Sequence, residues 1–151
     1  MGIGEAITKF FHDMGILELR IRNEHPAYAK LSYNSSLYLD IISAHQGKYT
    51  PSKLADMLHI ARPSVTQKIN VLEKAGYVTR KQNPADKREY FLYFNVDSFD
   101  ADTQSIYTKL TKQISESMEQ RYSKEEIEKF SEMLSYIGEI CLDERLSLIH
   151  I

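Results

Sequence analysis

The chain has 151 residues, of which 42% are hydrophobic and 26% charged, with six Gly, four Pro and one Cys. These proportions fit a compact globular chain and exclude a fibrous or low-complexity one, and no apolar run approaches the roughly 18 residues that a membrane span needs. The net charge of −2 hides an asymmetry: residues 48–94 carry nine basic and four acidic side chains, net +5, while the remainder nets −7. A basic middle between acidic ends is the distribution expected when one module meets phosphate. The N-terminus has neither the basic nor the apolar region of a secretory signal and the single Cys141 has no intrachain partner, so the expected setting is cytoplasmic.

From Ile3 to about Arg22, Ile7, Phe10, Phe11, Met14, Leu17 and Ile21 recur at spacings of three and four, predicting an amphipathic helix that breaks near Pro26. A second helix is expected from about Ser35 to Ala44, with Leu37, Leu39, Ile41 and Ile42 as core candidates and Gly47 as a stop. Thr50-Pro51 then supplies an N-cap and a first-turn proline for a short helix ending at Leu58. After His59-Ile60-Ala61 a further helix runs from about Arg62 to Ala75 and closes on Gly76. Two short helices so joined form a helix-turn-helix, with Ala55 and Val65 placed where the helices pack.

Beyond Gly76 the period changes: 77–81 and 90–94 are β-prone around a turn-like Gln82-Asn83-Pro84-Ala85-Asp86, predicting a two-stranded wing. Ile106, Leu110, Ile114 and Met118 predict a helix. Ser123 and Glu126 form a capping box for another, expected to bury Ile127, Phe130, Leu134, Ile137 and Cys141. The expected fold is therefore mainly α with a small β-wing: an N-terminal helix and link over 1–34, a winged helix-turn-helix over 35–97, and C-terminal helices over 98–151.

Three segments resemble the MarR-type multiple-antibiotic-resistance regulators: Pro51-Ser-Lys-Leu-Ala-Asp-Met-Leu, Arg62-Pro-Ser-Val-Thr-Gln-Lys-Ile-Asn-Val-Leu-Glu-Lys-Ala-Gly-Tyr-Val and Asn83-Pro-Ala-Asp-Lys-Arg-Glu. Departures are Ala61 where the family usually places Ser or Asp, Pro63 in the recognition helix, and Asn95-Val-Asp-Ser after the second wing strand. The resemblance implies a dimeric DNA-binding regulator of transcription, a repressor rather than an enzyme, needing no cofactor and binding a pseudo-palindromic duplex as a homodimer. Its terminal helices would be dimerisation elements, with Phe10, Phe11, Met14, Leu146 and Leu148 at the interface.

Within that frame Ser64, Gln67 and Lys68 are expected to read base edges, and Arg62 and Thr66 to reach phosphates or the groove edge. Lys87 and Arg88 would enter the minor groove, with Asp86 holding the wing arginine and with Arg80 and Lys81 flanking the backbone. Tyr28, Tyr33 and Tyr38 lie near the junction where the resemblance implies a small aromatic effector, although aromatics there are more often core. Two alternatives stand beside this reading: a winged helix used only for protein interaction, and a metal-responsive regulator. The ligand types His12, His25, His45, His59, His150 and Cys141 show no metal spacing, and Cys141 reads as a core residue. No Gly-rich phosphate loop or hydrolase motif points to catalysis.

Overall fold

The computed structural model describes residues 1–26, 30–98 and 101–143, with backbone alone for 101–105. Two compact units are present, residues 1–104 and 105–151. The first unit opens with α1 (Ile3–Glu24), followed by α2 (Tyr33–Ala44), α3 (Pro51–Leu58) and α4 (Arg62–Lys74). An antiparallel pair, β1 (Val78–Gln82) and β2 (Tyr90–Phe94), and a 3₁₀ turn over Val96–Ser98 complete it. Helix α5 (Ala101–Arg121) leads into the second unit, which ends with α6 (Lys124–Leu142).

Local chemistry accounts for the boundaries. Helix α2 starts two residues earlier than the apolar pattern suggests because Ser32 caps it, its Oγ accepting from the Ser35 N–H at 3.2 Å. Thr50 caps α3 in the same way through the Lys53 N–H, with Pro51 in the first turn. Ala61 stands at the N-cap of α4 and supplies no side-chain cap. Both α3 and α4 end in a Schellman turn. Gly76 (φ +87°) closes α4, with Tyr77 N–H donating to Leu72 C=O at 2.9 Å. His59 (φ +53°) closes α3, with Ile60 N–H donating to Ala55 C=O at 3.0 Å.

The core of the first unit draws on every element from α2 to β2. Tyr38, Leu39 and Ile42 meet Leu54 and Ala55 of α3, Val65, Ile69 and Leu72 of α4, and Val78 and Leu92 of the wing. Ala55 and Val65 are wholly buried, so α3 and α4 approach closely where the small residue stands. Removing a buried leucine such as Leu54 or Leu92 should cost about 2–5 kcal/mol by the transfer and cavity terms together. The wing is anchored on its far side as well. Gly47 N–H donates to Leu92 C=O at 3.0 Å and Leu92 N–H to Tyr49 C=O at 2.9 Å, so residues 47–49 pair with β2 like a third strand.

Arg22 ties α1 to α2. Its Nε donates to Glu18 Oε1 at 2.8 Å, Nη1 to Leu31 C=O at 2.9 Å and Nη2 to Ser36 Oγ at 3.1 Å, while its guanidinium lies 5.7 Å from the centre of the Tyr33 ring. Three hydrogen bonds from one nearly buried guanidinium fix the angle at which α1 leaves the domain.

The second unit corrects one expectation. No described residue of α6 is buried: Phe130 and Leu134 are each 48% exposed and Cys141 is exposed, so Cys141 is not a core residue of this chain. Amphipathic spacing says that a helix face requires cover, and leaves open whether its own chain supplies it. The capping box read at Ser123 and Glu126 is present, with both reciprocal hydrogen bonds made.

Candidate nucleic-acid interface

At 100° per residue, α4 divides into three faces. Val65, Ile69 and Leu72 form the core face and are at most 2% exposed. Thr66, Asn70 and Glu73 fall together on the flank toward the wing, since Asn70 and Glu73 meet the guanidinium of Arg80 on β1. The third face holds Ser64, Gln67, Lys68 and Val71. Ser64 and Gln67 are exposed, Lys68 is half-buried and Val71 is 58% exposed. No hydrogen bond or ion pair to described residues occupies the side chains of Ser64, Thr66, Gln67 or Lys68.

Polar groups without partners among the described residues, projecting beside one exposed valine, can meet the donors, acceptors and methyl groups of base edges. Val71 escaped the sequence reading because apolar residues in a helix are assigned to the core by default. Its angular offset from Ile69 and Leu72 is the sequence feature that separates it from them.

The wing is a self-supporting loop. Asn83 N–H donates to Glu89 C=O at 2.9 Å, Glu89 N–H to Asp86 C=O at 3.0 Å, and Gln82 Nε2 to Lys87 C=O at 2.9 Å. At its tip Asp86 holds Arg88 in three ways: Oδ1 accepts from the Arg88 backbone N–H at 3.0 Å and from Nε at 3.2 Å, and Oδ2 accepts from Nη2 at 3.2 Å. The Arg88 side chain bonds hold the Asp86 carboxyl below its usual range, and the backbone N–H adds to the effect. Arg88 still projects, with its side chain 90% exposed, and Lys87 beside it is exposed.

The basic segment uses its charges unequally. Arg62 forms a fork on Asp56, with Nη2 3.0 Å from Oδ2 and Nε 3.2 Å from Oδ1. Arg80 pairs with Glu73 and Arg88 with Asp86, so each of the segment's three arginines stands against one of its acids. The positive surplus is therefore carried by lysines. Several lie over rings: Lys81 is 4.6 Å from the centre of Tyr93 and Lys53 6.0 Å from Phe91.

The remaining expected site residues are dispersed. Phe10, Phe11 and Met14 are 52%, 55% and 38% exposed on α1, whereas Leu146 and Leu148 lie outside the described residues. Tyr38 belongs to the core at 3% exposure, Tyr33 is 61% exposed under Arg22, and Tyr28 lies outside the described residues, as does His150. Among the described residues no three His, Cys, Asp or Glu side chains group as a metal site, and no helix is long and apolar enough to cross a membrane.

A helix-turn-helix whose second helix presents a polar face, backed by a two-stranded wing with a projecting arginine, defines a winged-helix DNA-binding module. Residues 31–90 match the model of the MarR family. Solved structures share the fold. FabT of Streptococcus pneumoniae, in a crystal structure with DNA, is 23% identical over 93% of this chain and 96% of its own, with a TM-score of 0.68. A mutant MepR from a multidrug-resistant S. aureus clinical isolate is 16% identical over 91% and 95%, with a TM-score of 0.69. The regulator SlyA is 16% identical over 92% and 95%, with a TM-score of 0.62. Comparison with curated protein sequences gives no match. Residues 31–90 thus form a MarR-type winged-helix domain, and the comparisons support a DNA-binding regulator of transcription.

Proposed function

We propose that this chain acts as a cytoplasmic repressor that binds a pseudo-palindromic duplex as a homodimer, and that a small-molecule effector releases it. The observation that carries the DNA reading is the face of α4 whose polar side chains have no partner among the described residues. Ser64, Gln67 and Lys68 read base edges there, and Val71 contacts a thymine methyl group. Gln67 suits the paired donor and acceptor of adenine, and Lys68 the acceptors of guanine. Thr66 and Arg62 meet phosphates or the groove edge, with Arg62 exchanging Asp56 for phosphate, since the two side chains of that pair are 64% and 60% exposed. Lys87 and Arg88 enter the minor groove, with Asp86 limiting the conformations Arg88 must give up on binding. FabT and S. aureus MepR, which share this fold, are each known in complex with DNA, and this supports the DNA reading.

Exposed apolar side chains support the dimer. Phe10, Phe11 and Met14 on α1, and Phe130, Met133 and Leu134 on α6, are more exposed than isolated surface hydrophobes require, and a two-fold partner would cover them. The residues around Tyr33 and Arg22, where α1 meets the DNA-binding module, are the place at which a bound effector would alter the spacing of two recognition helices.

Selection of bound sequences from a random duplex pool tests operator and dimer together. A two-fold symmetric motif is the expected result. An asymmetric half-site would overturn the homodimer. No enrichment, together with duplex affinity that does not fall as salt rises, would favour a protein-interaction module instead.

A further inference from the structure

We infer that Arg80 is a positioning residue, a brace that fixes the wing to the recognition helix, and that it does not contact the DNA backbone; this rests on the DNA-binding reading above. Arg80 stands on β1 opposite Leu92, a residue with no exposed surface, so its side chain starts on the inward side of the sheet. A core strand would carry an apolar residue at that position. The arginine instead runs along α4 and is only 20% exposed. Its Nη2 donates to Asn70 Oδ1, and its Nε lies 2.9 Å from Glu73 Oε2. That Nε is buried and has no hydrogen bond of good angle, so its hold on Glu73 is chiefly charge attraction.

Asn70 and Glu73 are three apart, on the flank one third of a turn from the base-reading face. The planar guanidinium spans both, which a lysine ammonium cannot do with one fixed geometry. The brace therefore joins the helix carrying Gln67 and Lys68 to the strand that leads to Lys87 and Arg88. It sets how far the wing tip stands from the major-groove reader. Arg62 and Arg88, by contrast, have side chains 64% and 90% exposed and can exchange their carboxylates for phosphate.

Glu73→Gln separates the two roles, because it deletes an acid and frees the guanidinium. A phosphate-contacting Arg80 would then bind a duplex recovered from the selection more tightly, with a salt slope steeper by about one unit. A brace predicts weaker binding, about three- to tenfold, and a shallower slope, since Lys87 and Arg88 engage less. The slope does not depend on the fraction of molecules folded. Arg80→Lys keeps the charge and should lose affinity by a similar factor, and Glu73→Gln should have no further effect once Lys87 and Arg88 are both alanine. Tighter binding by Glu73→Gln, wild-type affinity in Arg80→Lys, or an undiminished Glu73→Gln effect without the wing charges would each overturn the brace. Failure of the wild-type chain to bind any duplex would instead overturn the DNA-binding reading itself.

Discussion

The backbone of Gly47 lies against the side chain of Tyr93: a Cβ built on Gly47 would stand 2.3 Å from Tyr93 Oη and 2.5 Å from Cζ. The same residue has φ +71°, a left-handed conformation that favours glycine. Gly47→Ala therefore meets two penalties, left-handed backbone strain and a collision with the ring that β2 lays across it. A loss of about 3 kcal/mol is expected in denaturant unfolding. Tyr93→Phe should rescue little, because it removes Oη and leaves Cζ in place. Tyr93→Ala in the Gly47→Ala background should recover the steric part only, and a Gly47→Ala loss below about 1 kcal/mol would contradict this packing.

Gly47 also marks the limit of what the sequence discloses. Read locally it is a helix stop after Ala44. Its stronger constraint comes from Tyr93, far along the chain, which no local pattern reveals. Helices α3 and α4 and the two strands were legible because caps, Gly76 and the switch from period 3.6 to period 2 are local signals. The contacts of Arg80 with Asn70 and Glu73 were not legible for the opposite reason: a basic residue on a strand gives no sign of starting inward until the register sets it opposite buried Leu92. Cys141 shows that an apolar stripe cannot name the surface that covers it.

His59 should respond to glycine as few histidines do. It occupies the left-handed position of a Schellman turn with φ +53° and ψ +40°, the place that Gly76 fills at the end of α4. A side chain there costs about 1 kcal/mol, partly offset by the extra freedom glycine gives the unfolded chain. His59→Gly should raise stability by about 0.5 kcal/mol, and β-branched His59→Val should lower it by about 1–2 kcal/mol. Thermal melts of the three proteins would decide, and a destabilised glycine variant would show that the imidazole's own contacts outweigh the backbone strain.

Arg88 and Gln67 should fail differently. Arg88→Ala is expected to weaken binding across all duplexes and to reduce the salt slope by about one unit. Gln67→Ala should leave the slope unchanged and relax preference at particular base pairs by about 1–3 kcal/mol each. Equal losses on every sequence from both variants would place Gln67 on the backbone. Asp86→Asn should behave as a milder Arg88 variant. Because the Asp86 carboxyl is held below its usual range, its pair with Arg88 is fully present above ordinary carboxylate pKa values and is lost only as pH falls through the depressed one.

Asp40 gives the fold the opposite pH dependence. Its carboxyl is pushed up to about 6, first by desolvation and then by the neighbouring Glu18 charge, with Arg22 acting in the other direction. The folded chain thus holds a proton that the unfolded chain, at the ordinary 3.8, has already released. This group's contribution is complete below about pH 4, declines as pH rises toward about 6, and stays lost above it. Asp40→Asn fixes the neutral state, so its melting temperature should exceed that of the wild type at pH 7 and coincide with it near pH 4. The gain will be modest because Asp40 is on the surface and water screens its charge. A variant that melts with the wild type at pH 7 would show that Arg22, already held by Glu18, Leu31 and Ser36, still compensates the Asp40 charge in full.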